Sequence, residues 1–206
     1  MRKNIVLNFR NEPKKEFGEY AQAYQRAAKK LFDLFSEYPD FVYNDLDGLP
    51  IVFLYRHAVE LYLKSIVLRL NTILAIIFYI DKKSNFKSNE KIATHDLECL
   101  RKTIVDLIED NKNSNDDLIE IKNEFSSSKT SETIDLLNKI IELDNSSFTF
   151  RYPTKRDLTA CLEKHTIINL LDLGNSLEEL CNKLTAMDWF LEAQYSKLCD
   201  FLEALE

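Results

Sequence analysis

Three charged side chains recur at every fourth residue of an otherwise apolar stretch. They are Arg56, Glu60 and Lys64 in FLYRHAVELYLKSIV, with His57 beside the first. On a helix that spacing stacks them along one side, where Arg56 can pair with Glu60 and Glu60 with Lys64. Two further groups of similar chemistry lie downstream, His95-Asp96 and Arg151-Tyr152. If the three segments converge, their guanidinium, imidazole, ammonium and carboxylate groups can bind a phosphate or a phosphodiester. Two arrangements are open. On a solvated helix face the pairs contribute only about 0.3–0.5 kcal/mol each, Arg151 braces its loop against Glu60, and His95 caps its helix. Covered by other helices, the charges must instead be paired and hydrogen-bonded, as ionic networks at sites often are. Glu60 then orients Arg56 and Arg151 while His95 closes the cluster.

The element that must hold the stripe is residues 50–80, which read as one long apolar helix. Pro50 suits a first helical position, and Asp47 and Gly48 upstream can supply the cap and the turn. No further Pro or Gly occurs before Asp81. About 31 residues at 1.5 Å each give about 46 Å, against roughly 43 Å for the width of a compact chain of this length. One helix therefore crosses the whole molecule.

Composition agrees with a helical protein. A chain of 206 residues with 45% hydrophobic and 30% charged residues suits one domain over 1–206. Three Gly and four Pro are too few for a turn-rich β sandwich. The net charge of −7 and a pI near 5.2 make the surface on average repel nucleic acid and anionic membranes, so phosphate binding needs a local basic patch.

The same composition argues against a bound cofactor or metal. There is no glycine-rich phosphate loop. Cys99, Cys161, Cys181 and Cys199 form no C-x-x-C pair, which points to a reducing compartment and away from zinc. His57, His95 and His165 never pair at i+3 or i+4. The N-terminal IVLNFRNEP is too short and too soon charged for a signal peptide. The apolar run after Arg69 falls short of the ~20 residues of a membrane span. A cytoplasmic protein is expected, its apolar run serving as core or subunit interface.

Along the chain, residues 1–10 read as an extended arm. Lys14–Phe35 read as an amphipathic helix whose apolar face includes Phe17, Tyr20, Ala21, Tyr24, Ala27, Ala28, Leu31, Phe32 and Phe35. An aromatic linker, 38–43, leads to the long helix. Residues 81–94 are polar and read as an exposed loop, with Thr94 capping a helix over Asp96–Asp110. Helices near 115–125 and 131–143 flank the serine run 126–128. Thr149–Tyr152 read as extended, with the basic cluster Arg151, Lys155 and Arg156 on a loop. Gly174 reads as a helix end, and Ser176 with Glu179 as the capping box of the next helix. Leu177, Leu180, Leu184, Met187, Leu191, Tyr195, Leu198, Leu202 and Leu205 follow near-heptad steps, fitting a helix packed along the central one better than a coiled-coil arm.

The segments FLYRHAVELYLKSIV (53–67), THDLECL (94–100) and FRYP (150–153), in this order, resemble the HEPN superfamily and especially its bacterial branches. Those share an R-H-A-x-E-L-x-L-K helix, a later H-D-L and an F-R-Y-P. The resemblance covers about residues 50–155. It implies an all-α, up-and-down helical bundle around the long helix, a homodimer, and a role in RNA cleavage, nucleotide binding or partner binding within prokaryotic defence, toxin–antitoxin or stress systems. Ribonuclease members carry Arg, four to six residues, then His. Here Arg56 abuts His57, and Arg156 stands too far from His165, so binding is expected over cleavage. The expected cluster is Arg56, His57, Glu60, Lys64, His95, Asp96, Arg151 and Tyr152. The alternatives are a divergent metal-independent ribonuclease toxin, and an interaction subunit dimerising through 71–80 or the C-terminal helix.

Overall fold

The computed structural model describes residues 16–38, 45–82, 86–89, 91–111, 116–126, 131–144, 147, 149–154, 157–161 and 167–204. The arm at 1–10, the linker from 39 to 43, and Ser127, Ser128, Lys155, Arg156, His165 and Leu205 lie outside them. The chain is an all-α bundle built of α1 (Phe17–Glu37), α2 (Gly48–Ile80), α3 (Leu97–Asp110), α4 (Asp116–Phe125), α5 (Glu132–Asp144) and α6 (Leu170–Glu203). Among the described residues the only β pairing is one bridge between Thr154 and Ala160.

The central helix α2 runs 33 residues, about 50 Å. It begins two residues before Pro50, which sits in the first turn where its missing N–H costs nothing. Asp47 precedes it without a side-chain capping bond, so the expected Asp cap does not form. From Ile51 to Leu74 nearly every side chain is buried, with Tyr55, Tyr62, Ile66 and Leu70 fully enclosed. Each such apolar side chain contributes about 1.5–3 kcal/mol. By length and composition α2 could cross a bilayer. Here α1, α3 and α6 pack along it, as around the core helix of a bundle.

Contacts fix the directions. Ser65, Tyr62 and Tyr55 of α2 meet Gly18, Gln25 and Phe32 of α1, so these two helices are antiparallel. Gly48, Ser65 and Arg69 meet Leu170, Asp188 and Glu192, so α6 runs parallel to α2. The inward row of α1 is Gly18, Ala21, Gln25, Ala28 and Phe32, mostly small residues that admit close packing. Tyr20, Ala27 and Leu31, expected on the buried face, lie instead on a second, exposed row. The reason is geometric: α2 and α6 cover only one stripe of α1.

Helix α6 is continuous through Gly174, correcting the expected break and the capping box at Ser176. Its cap is Asn169, whose carboxamide oxygen accepts from the N–H of Leu171 and Asp172. Gly174 serves a close approach: a Cβ there would lie 2.2 Å from the Phe32 ring. Leu177, Leu180, Leu184 and Leu191 are buried in the shared core, as expected of a helix lying along α2.

The stretch after α2 is not a free loop. Its described residues run back along α2 as a strap, Phe86 against Phe78 with ring centroids 5.7 Å apart, and Ile92 packed on the core. Two buried asparagines clip it by mimicking strand pairing. Asn71 accepts from Asn89 N–H at 3.0 Å and donates to its carbonyl at 2.8 Å. Asn111 treats Lys87 the same way, at 3.0 and 3.1 Å. These bonds satisfy backbone groups that no ladder reaches.

Candidate functional site

The strap ends on the charged row of α2. The desolvated arrangement holds: Arg56 is 0% exposed, Glu60 1% and Lys64 8%. Covering such charges is tolerable only if each is paired, and each is. The Glu60 carboxylate accepts from Arg56 Nη1, from Lys64 Nζ at 2.8 Å and from His95 Nδ1 at 2.8 Å. Burial pushes the Glu60 carboxyl up. The hydrogen bond from Lys64 and the charges of Arg56 and Lys64 outweigh it and bring it down to about 2. Glu60 is thus a carboxylate at any physiological pH and can only accept. The His95 nitrogen facing it therefore carries the hydrogen, and Nε2 is the ring nitrogen turned away from the acid. The His95 side chain is 59% exposed above this buried floor.

Arg56 has another task. Its Nη2 donates to the His95 carbonyl and its Nε to the Asp144 carbonyl at 3.2 Å, with the Asp144 carboxylate 3.9 Å away. Burial lowers its pKa, opposed by Glu60 and Asp144. One guanidinium therefore ties α2 to the start of α3 and the end of α5. Bound on all sides, Arg56 is a brace that holds the site together.

The remaining expected residues divide. Asp96 is spent on its own helix: it is the N-cap of α3, accepting from Cys99 N–H at 2.7 Å, while Thr94 accepts from Asp96 N–H at 3.0 Å. The expected Thr94 cap thus shifts by two residues, because the carboxylate is the stronger acceptor and favours the positive helix end. Neither cap involves the His95 ring, which goes to Glu60. Arg151 does not reach Glu60. Residues 149–151 form a turn, correcting the extended reading, and Arg151 Nε donates to the carbonyl of Ser147, itself buried at φ 67°. The Arg151 guanidinium lies over the Phe53 ring at 5.7 Å and the Tyr152 ring at 5.5 Å. Such contacts contribute about 0.5–2 kcal/mol.

Phe53 stacks on His57 at 5.8 Å and 9°, and His57 meets Tyr24 edge-on at 4.5 Å. Burial lowers the His57 pKa, so this ring acts as an aromatic spacer. Phe53, Arg56, His57, Glu60 and Lys64 occupy one face of α2. His95 and Arg151 are thus stationed over the same helix face, roughly 10 Å apart along its axis by residue rise.

Two features were missed. Asp144 left no signal beyond being an acid at a helix end. A second buried ionic group joins the core helices further up: Asp188 accepts from Ser65 Oγ at 2.6 Å and Arg69 Nε at 2.8 Å. Ser65 and Arg69 bracket the same helix at i, i+4, a spacing that offered the clue. The four cysteines are free; Cys181 is enclosed and burial pushes its thiol up, away from nucleophilic use. Among the described residues no three His, Cys, Asp or Glu side chains gather as metal ligands.

Fold and site together define an all-α bundle whose central helix buries a paired ionic row beneath an exposed imidazole. No family model, no curated protein and no solved structure matches the chain.

Proposed function

We propose that this chain is a HEPN-like helical domain, cytoplasmic, that binds a phosphate-bearing ligand, a nucleotide or single-stranded RNA, on the face shared by His95 and Arg151. The observation that carries the reading is the Glu60–His95 pair: a solvent-facing imidazole held by a buried carboxylate that two cations keep ionised. With Nδ1 held by Glu60, Nε2 is the nitrogen left to face a ligand, and in the imidazolium form it donates to a phosphate oxygen. Arg151 supplies planar donors nearby, and Tyr152, half exposed beside it, offers an aromatic face for a base. The resemblance of 53–67, 94–100 and 150–153 to HEPN proteins supports the same ligand class and a role in defence, toxin–antitoxin or stress systems.

The test is fluorescence anisotropy with a labelled RNA oligonucleotide and with ATP, alongside thermal melts. His95→Ala and Arg151→Ala each weaken binding at least about tenfold, the loss of one charge-assisted hydrogen bond, while the melting temperature falls only by the few degrees that their partly exposed contacts contribute. Unchanged binding in both variants, or a collapse of stability with no effect on ligand, overturns the reading and leaves a brace.

The same pair also favours a second reading, cleavage. Nε2 can take the proton of a ribose 2′-hydroxyl, whose oxygen then attacks the adjacent phosphorus, and the 5′-oxygen leaves with a proton from solvent. Growth arrest on expression, relieved by His95→Ala, distinguishes this ribonuclease from a binding domain.

A further inference from the structure

Between α1 and the turn at 149–151, five side chains stand in one series. Tyr24 of α1 meets His57 edge-on at 4.5 Å, His57 lies flat against Phe53 at 5.8 Å, and the Arg151 guanidinium lies over Phe53 at 5.7 Å. Tyr152 closes the series, 5.5 Å from Arg151. His57 and Phe53 are one turn apart on α2, so the ring that backs the guanidinium is itself backed by an imidazole. His57 is also the member whose charge can change near neutral pH.

We infer that neutral His57 positions Arg151 by fixing the Phe53 ring, and that a proton on the imidazole releases the guanidinium from that ring. The surrounding charges set what a proton does there. On its own helix His57 faces Arg56, Lys64 and Glu60, from the turn the Arg151 guanidinium, and from α1 the Tyr24 phenol. Three of these are cations. Glu60 attracts a proton, but its carboxylate already serves Arg56, Lys64 and His95, and Asp144 at the end of α5 is engaged by Arg56. Burial, ahead of the cations, holds the His57 pKa below its ordinary 6.5, so the ring is neutral near pH 7. The contacts of the neutral form are therefore complete above that value and are lost as pH falls through the folded one. An imidazolium competes for Phe53 as well: it is drawn to the aromatic face that holds Arg151 and repels the guanidinium already there. Arg151 is the partner that moves, because it is exposed on a turn while His57 is half-buried on a long helix. For the ligand face the consequence rests on the phosphate-binding reading above: acidification withdraws the Arg151 donors and weakens the hold on a phosphate.

Proton NMR of the ligand-free protein tests this, titrated from about pH 7.5 to about pH 5, the range in which histidine changes charge. Arg151 side-chain protons lie near two rings, so their ring-current shifts report whether the guanidinium is seated, and the imidazole C–H signals report the charge of each histidine. A contact of this class favours the seated side chain by about 2- to 30-fold. In wild type most of the Arg151 ring-current shift is lost, with the same midpoint as His57. In His57→Phe, which keeps a flat ring that takes no proton, the Arg151 signals hold still over the whole range. In His57→Ala they stand displaced from the start. Arg151 signals that never move in wild type, that follow His95 instead, or that titrate alike in wild type and His57→Phe overturn the inference. So does a His57 ring that stays neutral to the end of the titration. Should His57→Ala melt early by circular dichroism, His57→Phe decides alone. No ligand enters these measurements: failure of RNA or ATP to bind removes the phosphate-binding reading and leaves the Arg151 titration to be judged by itself, whereas a flat titration in a protein that does bind them removes only this inference.

Discussion

Replacing Glu60 by Gln keeps the side chain's shape and removes the one negative charge that Arg56, Lys64 and His95 share. Its magnitude can be worked in two ways. Linkage converts the fall of its carboxyl from the ordinary 4.5 to about 2 into about 3 kcal/mol at neutral pH. Breaking a buried ion pair by removing one partner costs about 3–5 kcal/mol. The two agree, and at about 2–4 °C per kcal/mol for a chain of this size the melting temperature falls by roughly 6–20 °C. The pH dependence carries the sign. A folded-state carboxyl held below its unfolded value contributes stability that is complete above about pH 4.5 and is lost as pH falls towards about 2. Melts followed by circular dichroism at pH 7 should therefore separate wild type from Glu60→Gln widely, and melts near pH 3 much less. Adding Lys64→Met should restore part of the loss, since the Gln variant suffers mainly from uncompensated cations. A Glu60→Gln protein melting within about 2 °C of wild type at pH 7 refutes the buried-node argument.

Three more perturbations probe the scaffold. Gly174→Ala, which in an open helix would gain up to about 1 kcal/mol, should instead cost about 1–3 kcal/mol because its methyl meets the Phe32 ring, and Phe32→Leu should relieve it in urea titrations. Asp96→Ala removes the α3 cap and should cost about 1 kcal/mol in the same assay. Asn71→Ala unclips the strap, so hydrogen exchange at the Asn89 amide should quicken while the amides in the middle of α2 stay protected.

The helices were legible because they rest on local chemistry. The length of α2 could be read from the absence of Pro and Gly between 50 and 81, and its end at Ile80 fell where expected. Arg56, Glu60 and Lys64 announced themselves as one row through a spacing that only a helix makes meaningful, and His95 does close over Glu60. What stayed hidden depends on contacts between distant segments. Asp144 meets Arg56 across 88 residues, and nothing near Asp144 marks it. Gly174 carries the local signature of a helix stop, yet its missing Cβ answers to Phe32 on another helix. Tyr20 and Leu31 fit an apolar stripe equally well whether a neighbour covers them or not. The polar stretch after α2 looked solvated because its order comes from Asn71 and Asn111, side chains that lie outside it.

The parallel pairing of α2 with α6 has a cost in time. Ser65 waits for Asp188, 123 residues further along, and a ribosome adding about 5–20 residues per second needs roughly 6–25 s to supply it. Through that interval the most apolar helix of the chain has one flank bare, shielded only by α1 and the segments made so far. Nascent chains should therefore depend on holding chaperones until the last helix emerges, and the slow step of refolding should be the closing of that distant pair.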